Sequence, residues 1–102
     1  MALDTELRKK LRGIGHALHP VVTVAGNGLS EAVGAELERA LHDHELIKVK
    51  LAVADRELRR ELVQRIATDF RADIVQEIGK VVLVYRRNPQ PNPRLTKVPA
   101  GI

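Results

Sequence analysis

Apolar positions fall at helical spacing in three stretches of this chain, and β-branched or alternating residues fill the gaps between them. Leu3, Leu7, Leu11, Ile14 and Leu18 recur at steps of three and four, which predicts an amphipathic helix capped by Asp4 or Thr5 and ending before His19-Pro20. Val21 to Val24 reads as a strand. Ser30 then offers an N-cap for a second helix with Val33, Leu37, Ala40 and Leu41 on one face, ending around His42 to His44. In Glu45 to Leu51, Ile47, Val49 and Leu51 alternate with Lys48 and Lys50; a strand there puts both lysines on one side. Asp55 caps a third helix along Leu58, Leu62, Ile66 and Phe70. Ile74–Ile78 and Val81–Tyr85 complete the set as two strands joined through Gly79-Lys80, a pair suited to a two-residue hairpin with glycine first.

The order α-β-α-β-α-β-β predicts an α/β fold, a two-layer α+β domain with two crossover connections. Right-handed crossovers place the second and third helices on one face of the sheet and leave the other for the first helix. Val81 to Val84 are apolar on both alternating sets, so the last strand is expected inside the sheet. Residues 1–87 form the domain. From 88 to 102, Pro89, Pro91, Pro93 and Pro99 and a shortage of large apolar residues predict a basic, disordered tail.

A chain of 102 residues supports one core. With no cysteine it has neither disulfides nor a thiolate site. The polar start Met1-Ala2-Leu3-Asp4 and the lack of any long apolar run lead to the expectation of a cytoplasmic protein that meets no membrane. Arg86, Arg87, Arg94 and Lys97, unopposed by acids, account for the formal net charge of +4. Within the body the charges segregate. The first helix carries Arg8, Lys9, Lys10 and Arg12, with Arg8, Lys9, Arg12 and His16 opposite its leucine stripe; the second carries Glu31, Glu36, Glu38 and Asp43 against Arg39. Such a body offers a polyanion one attractive and one repulsive side. On the third helix the arginines are mixed with acids, as on an ordinary solvated face.

The candidate chemistry lies in Val24-Ala25-Gly26-Asn27-Gly28-Leu29-Ser30, a strand running through a tight loop into a helix start. Gly26 and Gly28 can take positive φ and leave room for backbone N–H groups to approach an anion, a phosphate above all. A plain strand-to-helix turn needs the same glycines. The loop lacks the lysine-serine ending of a nucleotide-binding P-loop and the third glycine of a dinucleotide fingerprint, and no acid-base pair accompanies it, so no catalytic residue is assigned. His16, His19, His42 and His44 have no spacing that enforces convergence, and no metal or other cofactor is expected. Phe70 and Tyr85 are the only aromatic residues, too few for a base-stacking platform.

Together, His16-Ala17-Leu18-His19-Pro20-Val21-Val22, Gly26-Asn27-Gly28-Leu29-Ser30-Glu31, His44-Glu45-Leu46-Ile47-Lys48-Val49-Lys50, Ile78-Gly79-Lys80 and Val84-Tyr85-Arg86 resemble the CRM (chloroplast RNA splicing and ribosome maturation) domain family, in its stand-alone bacterial YhbY-like form. The resemblance runs from about Leu7 to Arg86. It implies three helices on a four-stranded mixed sheet, similar to the C-terminal domain of translation initiation factor 3. It also implies RNA binding, with ribosomal RNA of large-subunit precursors as partner, and a Gly-x-x-Gly loop likened to that of KH domains. Ala25-Gly26-Asn27-Gly28 stands in register with that loop. Its first glycine is alanine here, which would be strained at positive φ, and the loop is then expected to re-form around Gly26. The expectation is a monomeric, non-catalytic factor in ribosome assembly. Gly26, Asn27 and Gly28 and the cations Lys9, Lys10, Arg12, Lys48, Lys50, Lys80 and Arg86 would hold RNA phosphates. The alternative is a protein-interaction module whose acidic second helix meets a ribosomal protein or an assembly factor.

Overall fold

The computed structural model describes residues 3–102. In chain order it contains α1 (Thr5–Gly15), β1 (Pro20–Val24), α2 (Glu31–His44), β2 (Leu46–Leu51), α3 (Arg56–Asp69), β3 (Asp73–Ile78) and β4 (Val81–Tyr85). Each helix starts where a short acceptor side chain meets an apolar periodicity. Asp4 Oδ1 accepts from Leu7 N at 2.7 Å, Ser30 Oγ from Val33 N at 3.3 Å, and Asp55 Oδ1 from the N–H groups of Glu57 and Leu58. Of the two cap candidates for α1, Asp4 is the one used.

The sheet order is β1-β2-β4-β3, with β1 and β2 parallel and the other neighbours antiparallel. Both crossovers are present: β1-α2-β2 joins neighbours, and β2-α3-β3 passes over β4, which the hairpin then threads between β2 and β3. The hairpin turn has Gly79 at φ +57 and no positive φ at Lys80, the pattern of a type II′ turn. β4 is accordingly central. Val82 and Val84 pack with Leu37, Leu41, Ile47, Val49, Leu62 and Ile66 beneath α2 and α3. On the opposite face Leu83 and Tyr85 join Leu11, Leu46 and Val75 beneath α1.

Two departures from the sequence pattern have physical causes. α1 stops at Gly15 rather than running on to Leu18, as i→i+3 bonds from Ala17 N to Ile14 O and from Leu18 N to Gly15 O tighten the exit. Gly15 is set so close to β4 that a Cβ there would lie 2.5 Å from Leu83 Cδ2. β3 carries an irregularity between Ile74 and Gln76, and the guanidinium of Arg8 donates to Ile74 O and Val75 O, both at 2.8 Å. Arg8, grouped by helical periodicity with the basic face of α1, therefore serves as a tie between α1 and the bulge.

Residues 88–102 contain no helix or strand, yet the segment is bonded to the body. Asn88 N donates to Glu45 Oε2 at 2.8 Å, Thr96 Oγ1 to Glu45 Oε1 at 2.7 Å, and Lys97 N to His44 O at 2.9 Å. Asn88 Nδ2 donates to His42 O, and His44 Nδ1 lies 2.7 Å from Leu95 O. Val98 packs against the α1-side core. Four prolines prevent a repeating backbone hydrogen-bond pattern, and side-chain clasps supply the attachment instead.

Candidate nucleic-acid interface

Chain direction gathers one end of the sheet into a candidate site. β1 and β2 are parallel, so each ends on the same side and each feeds a helix that begins there: the 25–29 loop leads into α2, and residues 52–55 lead into α3. The hairpin reaches the same end, where Leu51 N donates to Lys80 O at 2.7 Å. Loop, hairpin turn and the first turns of two helices thus surround the carboxyl ends of β1 and β2, the customary place for ligands in such sheets.

Within the loop, Gly28 N closes a turn onto Ala25 O at 2.9 Å, and Ser30 N donates to Gly28 O. Gly28 carries the positive φ, +69. Neither Ala25 nor Gly26 has one, so the loop has not re-formed around Gly26, and alanine at the first loop position is unstrained. Gly26 contributes openness: a Cβ there would meet nothing within 4 Å. Among the described residues the N–H groups of Gly26 and Asn27 have no partner. They remain available as donors at the mouth of α2, whose dipole favours an anion.

Three of the expected cations belong to this end. Lys48 and Lys50 sit on the α1 side of β2, and strand pairing places Lys50 between Thr23 of β1 and Val81 of β4, which in turn faces Ile78 of β3. That row is the part of the sheet α1 does not cover; Lys50, Thr23 and Ile78 are exposed. Lys48 stands one row back, about 6.6 Å along the strand, and Lys80 sits exposed in the turn. The remaining four are placed otherwise. α1 runs so that Gly15 meets Leu83, and Arg12, in its last turn, is exposed near this region. Lys9 and Lys10 are exposed six and five residues before Gly15, about 8–9 Å back along the helix and away from the loop. Arg86 is at the opposite end of the sheet, beyond Tyr85. Its guanidinium grips both oxygens of Glu38 at 3.0 and 2.6 Å and donates to Phe70 O. That pairing holds the Glu38 carboxyl below its ordinary pKa of 4.5, chiefly through the hydrogen bond from Arg86, which outweighs the upward push of burial, with smaller help from the charges of Arg86 and His42.

The structure also brings in residues that periodicity alone did not single out. Arg56, Arg59 and Arg60 of α3 flank the hairpin around Gly79. Arg59 is engaged by the carbonyls of Val53 and Ala54 at 2.6 and 2.8 Å, whereas Arg56 and Arg60 are exposed. Helices that follow strands start at the strands' carboxyl ends, and this was the available signal. His16 and His19 line a groove with Lys48. His44 and Glu45, which open the His44 to Lys50 stretch, face away from the loop and clasp the tail. Among the described residues no three His, Cys, Asp or Glu side chains are grouped to hold a metal, and no helix is long and apolar enough to cross a membrane.

Comparison with known proteins agrees with this architecture. The family model of the CRS1 / YhbY (CRM) domain matches residues 3–86. A protein of Pseudomonas aeruginosa named probable RNA-binding protein PA4753 is 57% identical over 98 residues, covering 96% of this chain and 94% of that protein. One of Haemophilus influenzae named RNA-binding protein is 48% identical over 84 residues, covering 82% and 85%. The solution structure of the hypothetical protein SAV1595 from Staphylococcus aureus superposes with a TM-score of 0.73 at 25% identity, over 87% of this chain and 93% of that one.

Proposed function

The chain belongs to the CRS1 / YhbY (CRM) domain family, and from that premise we propose that it is a non-catalytic, cytoplasmic RNA-binding protein. It holds the sugar-phosphate backbone of ribosomal RNA in large-subunit precursors and assists their assembly. The observation that carries this reading is the meeting of two unpartnered N–H groups, at Gly26 and Asn27, with Lys50 and Lys80 around the carboxyl ends of β1 and β2. Backbone donors and mobile ammonium groups recognise phosphate without reading sequence. Two aromatic residues in the chain, with Tyr85 buried and Phe70 packed against the core, favour recognition by backbone and shape over a stacking platform.

Filter binding to precursor ribosomal RNA across a salt series tests it. Affinity should fall as salt rises, and Lys50→Ala and Lys80→Ala should each reduce the slope of log affinity against log salt by about 0.7–0.9. Arg86→Ala should leave the slope unchanged, since Glu38 holds that charge. Salt-insensitive binding, or equal slopes in all four proteins, refutes the assignment.

A second reading rests on the shallow groove between α2 and the edge strand β1, bordered by Glu36 and Asp43. A basic extension of a ribosomal protein would complement it. Loss of subunit association on Glu36→Lys, with RNA affinity intact, would favour that reading.

A further inference from the structure

The uncovered part of the sheet is more than a bed for two lysines. Between the end of α1 and the strands lies a groove of about 360 Å³ whose floor is Ile78, Val81 and Leu83 and whose rim carries His16, His19 and Lys48. Ile78 is 62% exposed. The amide of Gln76 is also in the lining, able both to donate and to accept. A second groove, of about 230 Å³, shares Leu18, His19 and Lys48 with the first and adds Lys97 from the tail. Lys97 is stationed there by the bond from its own N–H to His44 O and by the neighbouring Thr96–Glu45 clasp. Neither groove has a carboxylate in its lining.

Apolar floor, one amide and a cationic rim are the components that receive a flat, edge-polar ring attached to a phosphate. Resting on the RNA-binding reading above, we propose that this trough takes one unpaired nucleotide of the bound RNA. Its base lies on Ile78, Val81 and Leu83 with an edge toward Gln76, and its phosphate lies between Lys48 and Lys97. The position is continuous with the candidate interface, because Ile78 and Val81 belong to the same row as Lys50. Positive charge without acids suits an anionic partner, the apolar floor beside it suits a base joined to that anion, and the groove's size falls in the range of small-molecule sites. The tail thereby acquires a role: it delivers the second cation.

Two fluorescein-labelled RNA hairpins, each closed by a hexaethylene glycol linker in place of a nucleotide loop, test the proposal by anisotropy, one with a fully paired stem and one identical but for a single bulged adenosine. The 102-residue chain should bind the bulged hairpin about tenfold more tightly, the scale of about 55 Å² of apolar surface removed from water. Ile78→Ser, at an exposed position whose folding is verified by an unchanged urea midpoint, should abolish that preference and leave affinity for the paired hairpin within about twofold. Lys97→Ala should shrink the preference while Arg94→Ala should not. Equal binding of both hairpins by the unaltered chain, or a preference retained in Ile78→Ser, overturns the nucleotide site while the backbone reading stands. Failure to bind either hairpin overturns both. A concentration-dependent dimer dissolved by Ile78→Ser would assign the face to a second copy of the chain and likewise refute it.

Discussion

Glu45 joins the end of α2, the start of β2 and the tail, and replacing it by alanine should release the tail. It is 5% exposed, the sole polar or charged residue in the buried set among the described residues. Its two carboxylate oxygens accept from Thr96 Oγ1 at 2.7 Å and Asn88 N at 2.8 Å. Hydrogen bonds to a charged acceptor contribute about 1.5–3 kcal/mol each. Against that, Lys97 N to His44 O and Asn88 Nδ2 to His42 O still tie the segment down, so the loosened stretch recovers conformational entropy equivalent to only one or two residues, about 1–2 kcal/mol, and its donors return to water. The net loss for Glu45→Ala should therefore be about 2 kcal/mol, well below the sum of two bonds. At a urea slope of about 1 kcal/mol/M for a small domain, the midpoint falls by about 2 M.

The assay that isolates the clasp is a double-mutant cycle with Thr96→Val, which removes the hydroxyl at nearly constant shape. The two substitutions should couple by about 1.5 kcal/mol, and the amide of Asn88 should lose hydrogen-exchange protection in Glu45→Ala. Additivity within about 0.5 kcal/mol would refute the reasoning. Glu45 also sits at φ +63 and ψ −41, a sparsely populated conformation that costs a side-chain-bearing residue about 1–3 kcal/mol. Glu45→Gly should consequently be the more stable of the two clasp-deficient variants, by about 1 kcal/mol.

Gly15→Ala must push Leu83 aside, because its Cβ would stand 2.5 Å from Leu83 Cδ2; overpacking of this kind costs about 1–3 kcal/mol, and a melting point lowered by at least about 4 °C would confirm it. Tyr85, the one tyrosine of the chain, has its pKa raised above 10 by burial and then by the charge of Glu45. Its stabilising effect is complete below pH 10 and is lost as pH rises through the folded-state value, so absorbance at 295 nm should show phenolate forming later in the folded than in the urea-unfolded chain. Glu38 has the opposite sign: its carboxyl, held below 4.5 by Arg86, stabilises the fold above that pH and ceases to as pH falls through the lowered value. The carboxylate is largely exposed, so Glu38→Gln should cost under about 1 kcal/mol at pH 7. That difference should shrink in acid-unfolding curves as pH falls below 4.5 and vanish once it has passed the lowered value.

The elements were legible in the sequence because most obey a single local rule. Periodicity fixed the three helices, the continuously apolar Val81 to Val84 run required a strand covered on both faces, and Gly79-Lys80 specified the hairpin. What periodicity does not contain is contact between distant segments. Leu18 continues the spacing of α1, yet the helix ends three residues earlier, since Gly15 must press against Leu83 and the chain must turn toward β1. The tail looked unable to fold because, with four prolines and few large apolar residues, it cannot bury enough surface by itself. Its anchor is a carboxylate more than forty residues upstream, within the His44 to Lys50 stretch that helped carry the family resemblance.

The cations show the same limit and suggest a rule beneath it. As points on a sequence, Arg8, Arg86, Lys48 and Lys50 are equivalent positive charges. In the fold, Arg8 spans the carbonyls of Ile74 and Val75, Arg59 those of Val53 and Ala54, and Arg86 the carboxylate of Glu38 with Phe70 O. Among the described residues no lysine side chain forms a hydrogen bond or ion pair. The guanidinium is rigid and weakly hydrated, with donors spaced to bridge two acceptors, whereas an ammonium on a flexible stem keeps its water until a ligand displaces it. Here arginine at these three positions fastens the chain to itself, and lysine at Lys48, Lys50 and Lys80 is left for what the chain binds. Lys50→Arg should then preserve RNA affinity, while Arg8→Lys, unable to span both bulge carbonyls, should loosen α1 and lower stability without changing the salt slope. A wild-type urea midpoint in Arg8→Lys would remove the basis for dividing the two kinds of cation in this way.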